Sequence, residues 1–184
     1  TPLATSAVGA DGVFGWECMD AGPVTLGLVI LHDDATPGLT GDFYPTGTGV
    51  AAWGSATDKV DIADAMVVGI SNTLLTGIKA ATSVDPDTDG LAMGVIVNGT
   101  THAFVDGATI SRSGGTAINV FYPNADFSGA ETDGNTSANG VFIITDPIPT
   151  LIADLTATAT DLTFGEHQAA TKGGFIYFLV IASE

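Results

Sequence analysis

The sequence predicts a mainly β protein, an antiparallel β-sandwich or barrel with long loops and little helix. About ten apolar runs of strand length recur at spacings of eight to fifteen residues, with few helical patterns between them, which is typical of sandwiches and barrels. Asp outnumbers Glu by 17 to 4, and Asp favours turns whereas Glu favours helices. The 24 Gly and 25 Thr residues favour turns and strands in the same way.

The strand candidates are bounded by Gly, Pro, Asn or Asp, the residues that most often form turns. The first clear one is residues 24–32, a β-branched run enclosed by a Gly-Pro pair and an Asp-Asp pair. The last, residues 173–183, is apolar on both faces, which indicates a central strand or a buried interface. The other candidates are residues 50–53, 59–65, 67–70, 93–98, 102–105, 117–122, 141–145 and the middle of 151–164.

Two local patterns predict particular turns of the chain. The dipeptide Asn98-Gly99 separates the apolar residues 93–98 from residues 102–105, which predicts a hairpin with a two-residue turn. Residues 73–81 form the one segment with helical spacing, and they predict a turn of helix.

A chain of 184 residues fits one domain and can bury a substantial core. Apolar residues make up 45% and charged residues 14%, a balance that favours folding over disorder. Residues 1–20 mix small residues with Gly9, Gly12 and Gly15 and end in a Val-Phe-Gly-Trp-Glu-Cys-Met-Asp run, and they predict an extended N-terminal arm leading into a first strand. Residues 21–184 are predicted to form a single β domain, with a possible core over 24–110 and an added β region over 111–184.

The charge balance is strongly acidic, with 4 basic against 21 acidic residues and a net charge of −17. Recognition of phosphates depends on Lys and Arg, so this balance argues against nucleic acid and against an anionic membrane as partners. No apolar run approaches the roughly 20 residues that span a bilayer. The acidity is also compatible with a salty environment.

One acidic loop resembles the first half of a calcium-binding loop. Asp85, Asp87 and Asp89 alternate along the sequence and are followed by Gly90, as in loops where carboxylates bind the ion and Gly permits a sharp turn. The second half is missing, because Ile96 stands where a bidentate Glu is needed. A solvated Asp-rich turn is therefore the main interpretation, and calcium is the only cofactor left open.

The sequence contains no legible catalytic frame, and we predict that the protein is not an enzyme. The nucleophile motif G-x-S-x-G is absent. His32, His102 and His167 show no metal-ligand spacing on a common element. Acidic pairs are abundant, but a sequence does not show whether two of them flank a cleft. A hydrolase therefore stays open as a third hypothesis.

Three aromatic residues are candidates for a contact surface, namely Phe43, Tyr44 and Trp53. Aromatic side chains bury large areas in cores and in subunit interfaces, so we expect aromatic residues to fill the core and a subunit interface, and we name these three as interface candidates. A sugar-binding platform formed by them, or by Phe121 and Tyr122, is the alternative.

Residues 24–110 show a distinctive order of features. An apolar strand (24–31) precedes a segment ending Val-Ala-Ala-Trp (50–53), a Gly/Ser/Thr/Asp turn (54–58) and a Val-Val-Gly-Ile-Ser strand (67–71). A hairpin with aromatic and acidic residues follows at 94–106. This order resembles that of the head-decoration, or cementing, proteins of lambda-type tailed phages. Residues 111–184 have no counterpart in that family, and the chain is longer than the family's usual members.

The resemblance implies a virion structural protein of a bacteriophage. Such a protein sits on the capsid surface as a homotrimer, contacts the major capsid protein or other shell subunits, and is assembled in the host cytoplasm. In this family the N-terminal segment often serves as an arm onto the shell, a role that would suit residues 1–15. The alternative from another class is an extracellular β-sandwich module that binds carbohydrate or calcium.

Overall fold

The computed structural model describes residues 4–16, 28–32, 42–51, 67–113, 117–145, 153–171 and 173–184. The chain divides into two compact units, one formed by residues 1–28 and 50–65 and the other by residues 29–49 and 66–184. The helix belongs to the second unit, as do all the strand residues described below except 28 and 50–51. Trp53, with residues 52–66 around it, lies outside the described residues.

The regular elements comprise twelve strands and one helix within the described part of the chain. They are, in chain order, β1 (Leu28–His32), β2 (Phe43–Tyr44), β3 (Thr46–Ala51), β4 (Ile70–Ser71), α1 (Asn72–Thr82), β5 (Leu91–Val97), β6 (Thr109–Arg112), β7 (Val120–Pro123), β8 (Ala130–Thr132), β9 (Val141–Ile144), β10 (Ala153–Thr158), β11 (Glu166–Ala169) and β12 (Ile176–Ala182).

Seven strands form one mixed sheet in the order β1-β3-β12-β5-β9-β7-β8. Three others form an antiparallel sheet in the order β11-β10-β6, and β2 pairs with β4 in a two-stranded antiparallel ribbon. The predicted fold class, a mainly β sandwich-like protein with little helix, is confirmed.

The two faces of the seven-stranded sheet bury two separate cores, because successive side chains of a strand point to opposite faces. On β5, Ala92 and Ile96 pack towards the three-stranded sheet. Leu91 and Met93 pack on the other face, towards α1 and the two-stranded ribbon. The same alternation holds along β9, where Phe142 and Ile144 join the first core and Val141 and Ile143 the second.

The centre of this sheet is parallel, in contrast to the antiparallel pairing predicted for the whole protein. Strands β5 and β12 run in register from Leu91 opposite Ile176 to Val97 opposite Ala182, and β12 is also parallel to β3. Parallel neighbours need a long crossover connection, and residues 98–175 provide it between β5 and β12. Strand β5 is flanked by β12 and β9, so two strands from residues 111–184 lie directly beside it in one sheet.

The helix predicted from spacing at residues 73–81 is confirmed as α1. The Ser71 hydroxyl oxygen accepts a hydrogen bond from the Leu74 amide at 3.2 Å, which caps the N-terminus. Ser83 ends the helix with a left-handed backbone (φ 59°), and its amide donates to the Lys79 carbonyl. Leu75 and Ile78 point into the second core.

The turn at Asn98-Gly99 is longer than the two-residue turn that its sequence predicted. The Asn98 amide donates to the Ala103 carbonyl at 2.8 Å, which leaves a four-residue loop over 99–102. The Asn98 side-chain oxygen accepts from the amides of Thr100 and Thr101, at 3.0 and 2.8 Å. Asn98 thus folds the loop through its side chain.

Gly99 is required in this turn because another part of the backbone approaches it closely, and not because its own backbone is left-handed. Its amide donates to the Ser183 hydroxyl at 3.0 Å, and a Cβ at this position would collide with the Ser183 carbonyl oxygen. The glycine therefore lets the loop after β5 approach the backbone that follows β12.

Candidate functional site

The predicted calcium loop forms a compact turn, residues 85–90, which we call the acidic turn. It joins α1 to β5. The Asp85 carbonyl accepts from the amides of Thr88 and Asp89 at 3.0 and 2.9 Å, and Gly90 adopts a left-handed backbone (φ 73°). The Pro86 carbonyl accepts from the Gly174 amide at 2.9 Å. The turn is therefore bonded both to itself and to the segment before β12.

Lys79, in the last turn of α1, supplies the cation at the acidic turn. Its Nζ lies 2.7 Å from Asp85 Oδ1 and 3.8 Å from Asp87 Oδ2. The hydrogen bond from Lys79 lowers the pKa of Asp85, and the hydrogen bond to Asp85 raises the pKa of Lys79. Both side chains are substantially exposed, at 39% and 50%, so solvent screens their attraction.

Tyr44 reaches the same turn from the ribbon strand β2. Its hydroxyl donates a 2.8 Å hydrogen bond to Asp87 Oδ1, and its side chain is only 1% exposed. Burial raises the pKa of Tyr44, and the hydrogen bond to the Asp87 carboxylate raises it further. The acidic turn is therefore held by two side chains, one cationic from α1 and one phenolic from β2.

The geometry of this turn is not that of a metal site. Asp85 is paired with Lys79, and one Asp87 oxygen is hydrogen-bonded to Tyr44. Within the described ranges, no group of three or more His, Cys, Asp or Glu side chains could hold a metal ion. Asp85 and Asp87 have carboxylate oxygens 2.7 and 3.8 Å from Lys79 Nζ, so a lysine ammonium lies where these two carboxylates approach each other.

The three residues assigned to an interface have different environments. Tyr44 belongs to the buried core between α1 and the large sheet and packs inside its own chain, and its role in subunit contacts stays a prediction. Its neighbour Phe43 points the other way and is 39% exposed. This follows from the alternation of side chains along β2. Trp53 lies outside the described residues.

The outer face of the three-stranded sheet is polar. The Ser113 hydroxyl, just after β6, donates to Glu166 Oε1 at 2.7 Å and lies 3.2 Å from the Thr156 hydroxyl oxygen. Gln168 donates to Asp154 across the strands at 3.3 Å. His167 alternates with Glu166 and Gln168, and its burial lowers its pKa. It does not share their face, so no serine–histidine–acid arrangement arises here.

The described part of the N-terminal segment, residues 4–16, contains a turn and no strand. The Gly9 amide donates to the Val13 carbonyl at 2.8 Å, which folds the segment back on itself. Val8 and Val13 are 57% and 65% exposed. The rings of Phe14 and Trp16 make an edge-to-face contact with centroids 5.5 Å apart. The segment predicted as an extended arm thus carries a turn that displays two valines.

Sequence reasoning missed a cluster of loops where β5 and β7 end and β9 begins. We call it the loop end, and it comprises residues 98–106, 124–129 and 137–140. It displays Phe104 and Phe127, which are 56% and 45% exposed. The sequence shows one phenylalanine in each of the first two segments, which are otherwise mostly polar. Only the strand register shows that the segments lie at one end of the sheet.

Comparison with protein-family models, with curated proteins and with solved structures finds no match to this chain.

None of the described helical segments is long and apolar enough to cross a membrane.

Proposed function

We propose that the protein is a non-enzymatic structural component of a bacteriophage virion, a decoration protein that stabilises the capsid. In this proposal it sits on the capsid surface as a homotrimer and contacts the major capsid protein or other shell subunits. The support from the sequence is the resemblance over residues 24–110. The support from the structure is a β scaffold with two buried cores and an apolar N-terminal segment exposed to solvent.

The observation that carries the proposal is the exposure of Val8 and Val13 on a turn near the N-terminus. Isolated apolar side chains are common on surfaces. Here, however, both lie on one short segment, on opposite sides of a turn closed by a 2.8 Å hydrogen bond between Gly9 and Val13. Burying two valines against a subunit would stabilise a complex by about 1.5–3 kcal/mol each at most. Repeated over a symmetric shell, such small contributions add up.

Oligomeric state is the first test. We expect sedimentation equilibrium of the pure protein to show a concentration-dependent trimer. The double variant Val8→Ser, Val13→Ser should bind capsids lacking the decoration protein more weakly in co-sedimentation, and Ala7→Ser, Ala10→Ser is the matched control on the same turn. A strictly monomeric protein that does not co-sediment with such capsids would overturn the proposal.

The alternative function, an extracellular module for carbohydrate or calcium, has less support from the geometry. Lys79 and Tyr44 already bind the carboxylates that would hold calcium. Tyr44 and Tyr122, two of the aromatic residues considered for a sugar platform, are buried. Isothermal titration with calcium, together with a glycan array, separates the two functions. Binding in either assay would favour the alternative.

A further inference from the structure

The loop end is cross-linked by hydrogen bonds, although its sequence is that of a polar loop. The buried Thr136 hydroxyl accepts from the Ala108 amide at 2.9 Å and donates to the Val105 carbonyl at 2.7 Å. Asn139 donates from its side chain to the Asn124 carbonyl at 3.0 Å. These bonds connect the segment after Phe104, the turn after β7 and the turn before β9.

Phe127 is held on a tight turn. The Asn124 amide donates to the Gly129 carbonyl, and the Phe127 amide donates to the Asn124 carbonyl, both at 3.0 Å. Phe127 itself has a left-handed backbone with φ of 57°, which is uncommon for a bulky residue. Non-glycine residues in this region are strained, and such strain often occurs at functional positions. The turn therefore displays the ring in a fixed direction without burying it.

Phe104 is displayed by the neighbouring loop. It forms an isolated antiparallel bridge with Val97, and its Cβ lies close to Gly140, which also has a positive φ of 65°. Gly140 follows Asn139, the residue that bonds to the Phe127 turn. The two exposed rings are thus linked through two consecutive residues of one turn.

The charge at the loop end is acidic throughout. Asp106 and Asp126 are exposed, and Glu131 follows on β8. The hydrogen bond from the Ser128 amide lowers the pKa of Asp126, which keeps this carboxylate ionised. Residues 98–106, 124–129 and 137–140, all of them described, contain no Lys or Arg.

We propose that the loop end docks an arginine-bearing segment of another protein, with guanidinium groups stacked on Phe104 and Phe127 and bonded to the adjacent carboxylates. Arginine suits this surface better than lysine, because its planar guanidinium stacks on aromatic faces and pairs with carboxylates through a two-pronged contact. A second copy of this chain is a poor occupant, since its sequence contains a single arginine, Arg112. That the partner belongs to a virion shell rests on the function proposed above.

The test uses the full chain and a blocked peptide of alternating arginine and glycine, with lysine–glycine and citrulline–glycine peptides as references. We expect amide chemical shifts to change mainly at the loop end. The arginine peptide should bind about threefold more tightly than the lysine peptide, as expected of a weak exposed cation–aromatic contact. The citrulline peptide should not bind. Shifts spread over all acidic surfaces, or equal binding of arginine and lysine, would overturn the proposal.

Substitutions at exposed positions test whether the preference for arginine depends on the loop end, and they are chosen so that the fold is kept. Phe104→Ala with Phe127→Asn should remove the preference for arginine, and Asn tolerates the left-handed backbone at 127. Phe43→Ala, an exposed phenylalanine outside the loop end, should leave it unchanged. If the double variant instead changes the sedimentation of the protein alone, the surface binds a second copy and the proposal is wrong. These experiments use no capsid. A negative result would therefore reject the arginine-binding surface without rejecting the proposed role on a capsid.

Discussion

The acidic turn and the loop end lie at opposite ends of β5 and treat their acidic residues differently. At the acidic turn, Asp85 is paired with Lys79, and Asp87 accepts from the buried Tyr44. At the loop end, residues 98–106, 124–129 and 137–140 contain no Lys or Arg, and Phe104 and Phe127 are exposed. The first region therefore uses its charges to hold the fold, whereas the docking proposed above requires those of the second to be open to a partner.

The largest difference in unfolding free energy is expected between a substitution of the aromatic residue at the acidic turn and one at the loop end. Tyr44→Ala removes a side chain that is 1% exposed, and we expect a loss of about 3–5 kcal/mol in unfolding free energy, as for other large aromatic truncations in cores. Phe127→Asn should change stability by less than about 0.5 kcal/mol, as is usual at exposed positions. Urea denaturation measures both. Equal losses would remove the distinction between a structural and a displayed aromatic residue.

A second effect tests how firmly the loop end is attached to β12. Gly99→Ala would push a Cβ against the Ser183 carbonyl oxygen, and overpacking of this kind costs about 1–3 kcal/mol. The control is Gly77→Ala, because a Cβ on Gly77 in α1 meets nothing within 4 Å. That change should stabilise the protein by about 0.5–1 kcal/mol, since alanine favours helix. Thermal unfolding of both variants gives the comparison.

A third effect concerns the hydroxyl of Tyr44 alone. Tyr44→Phe leaves the core packed but removes the donor to Asp87, with an expected loss of about 1 kcal/mol. Because the folded protein raises the pKa of Tyr44 above its ordinary value of 10.0, the neutral phenol contributes stability that is complete below pH 10 and is lost as the pH rises beyond it. The variant should therefore lose less stability than the parent between neutral and strongly alkaline pH. If Tyr44→Phe lost as much stability at alkaline pH as the parent, the alkaline loss would not be due to Tyr44.

The smallest effect is expected from the Lys79 ion pair. The folded protein lowers the pKa of Asp85 below its ordinary value of 3.8, so the pair contributes stability above that pH and loses it as the pH falls further. Lys79→Met should flatten the acid side of the stability profile, with only a slight loss at neutral pH because both groups are exposed. A steep loss at neutral pH would show that the pair has a larger role.

Much of the fold could be predicted from local sequence patterns. The continuous apolar runs at β9 and β12 and the spacing of residues 73–81 each identify an element correctly. The parallel pairing of β5 with β12 could not be foreseen, because apolar runs indicate burial but not the neighbouring strand. The length of the turn at Asn98 also escaped prediction, since it depends on side-chain bonds and on Ser183.

The site was less predictable than the fold for the same reason. Lys79 lies six residues before Asp85, at the end of a predicted helix, so their ion pair was within reach of sequence reasoning. The bond from Tyr44 to Asp87 spans 43 residues, and no local pattern reports it. Phe104 and Phe127 become neighbours in one loop cluster only after β5, β9 and β7 have paired.

One buried tyrosine has a consequence for how copies of the protein can associate. The Tyr122 hydroxyl accepts a 2.8 Å hydrogen bond from the Ile110 amide on β6, the outer strand of the three-stranded sheet. The outward amides of an edge strand are normally free to pair with a strand of another molecule, and sheets extend between molecules in this way. With this amide already occupied, strand addition at β6 is discouraged.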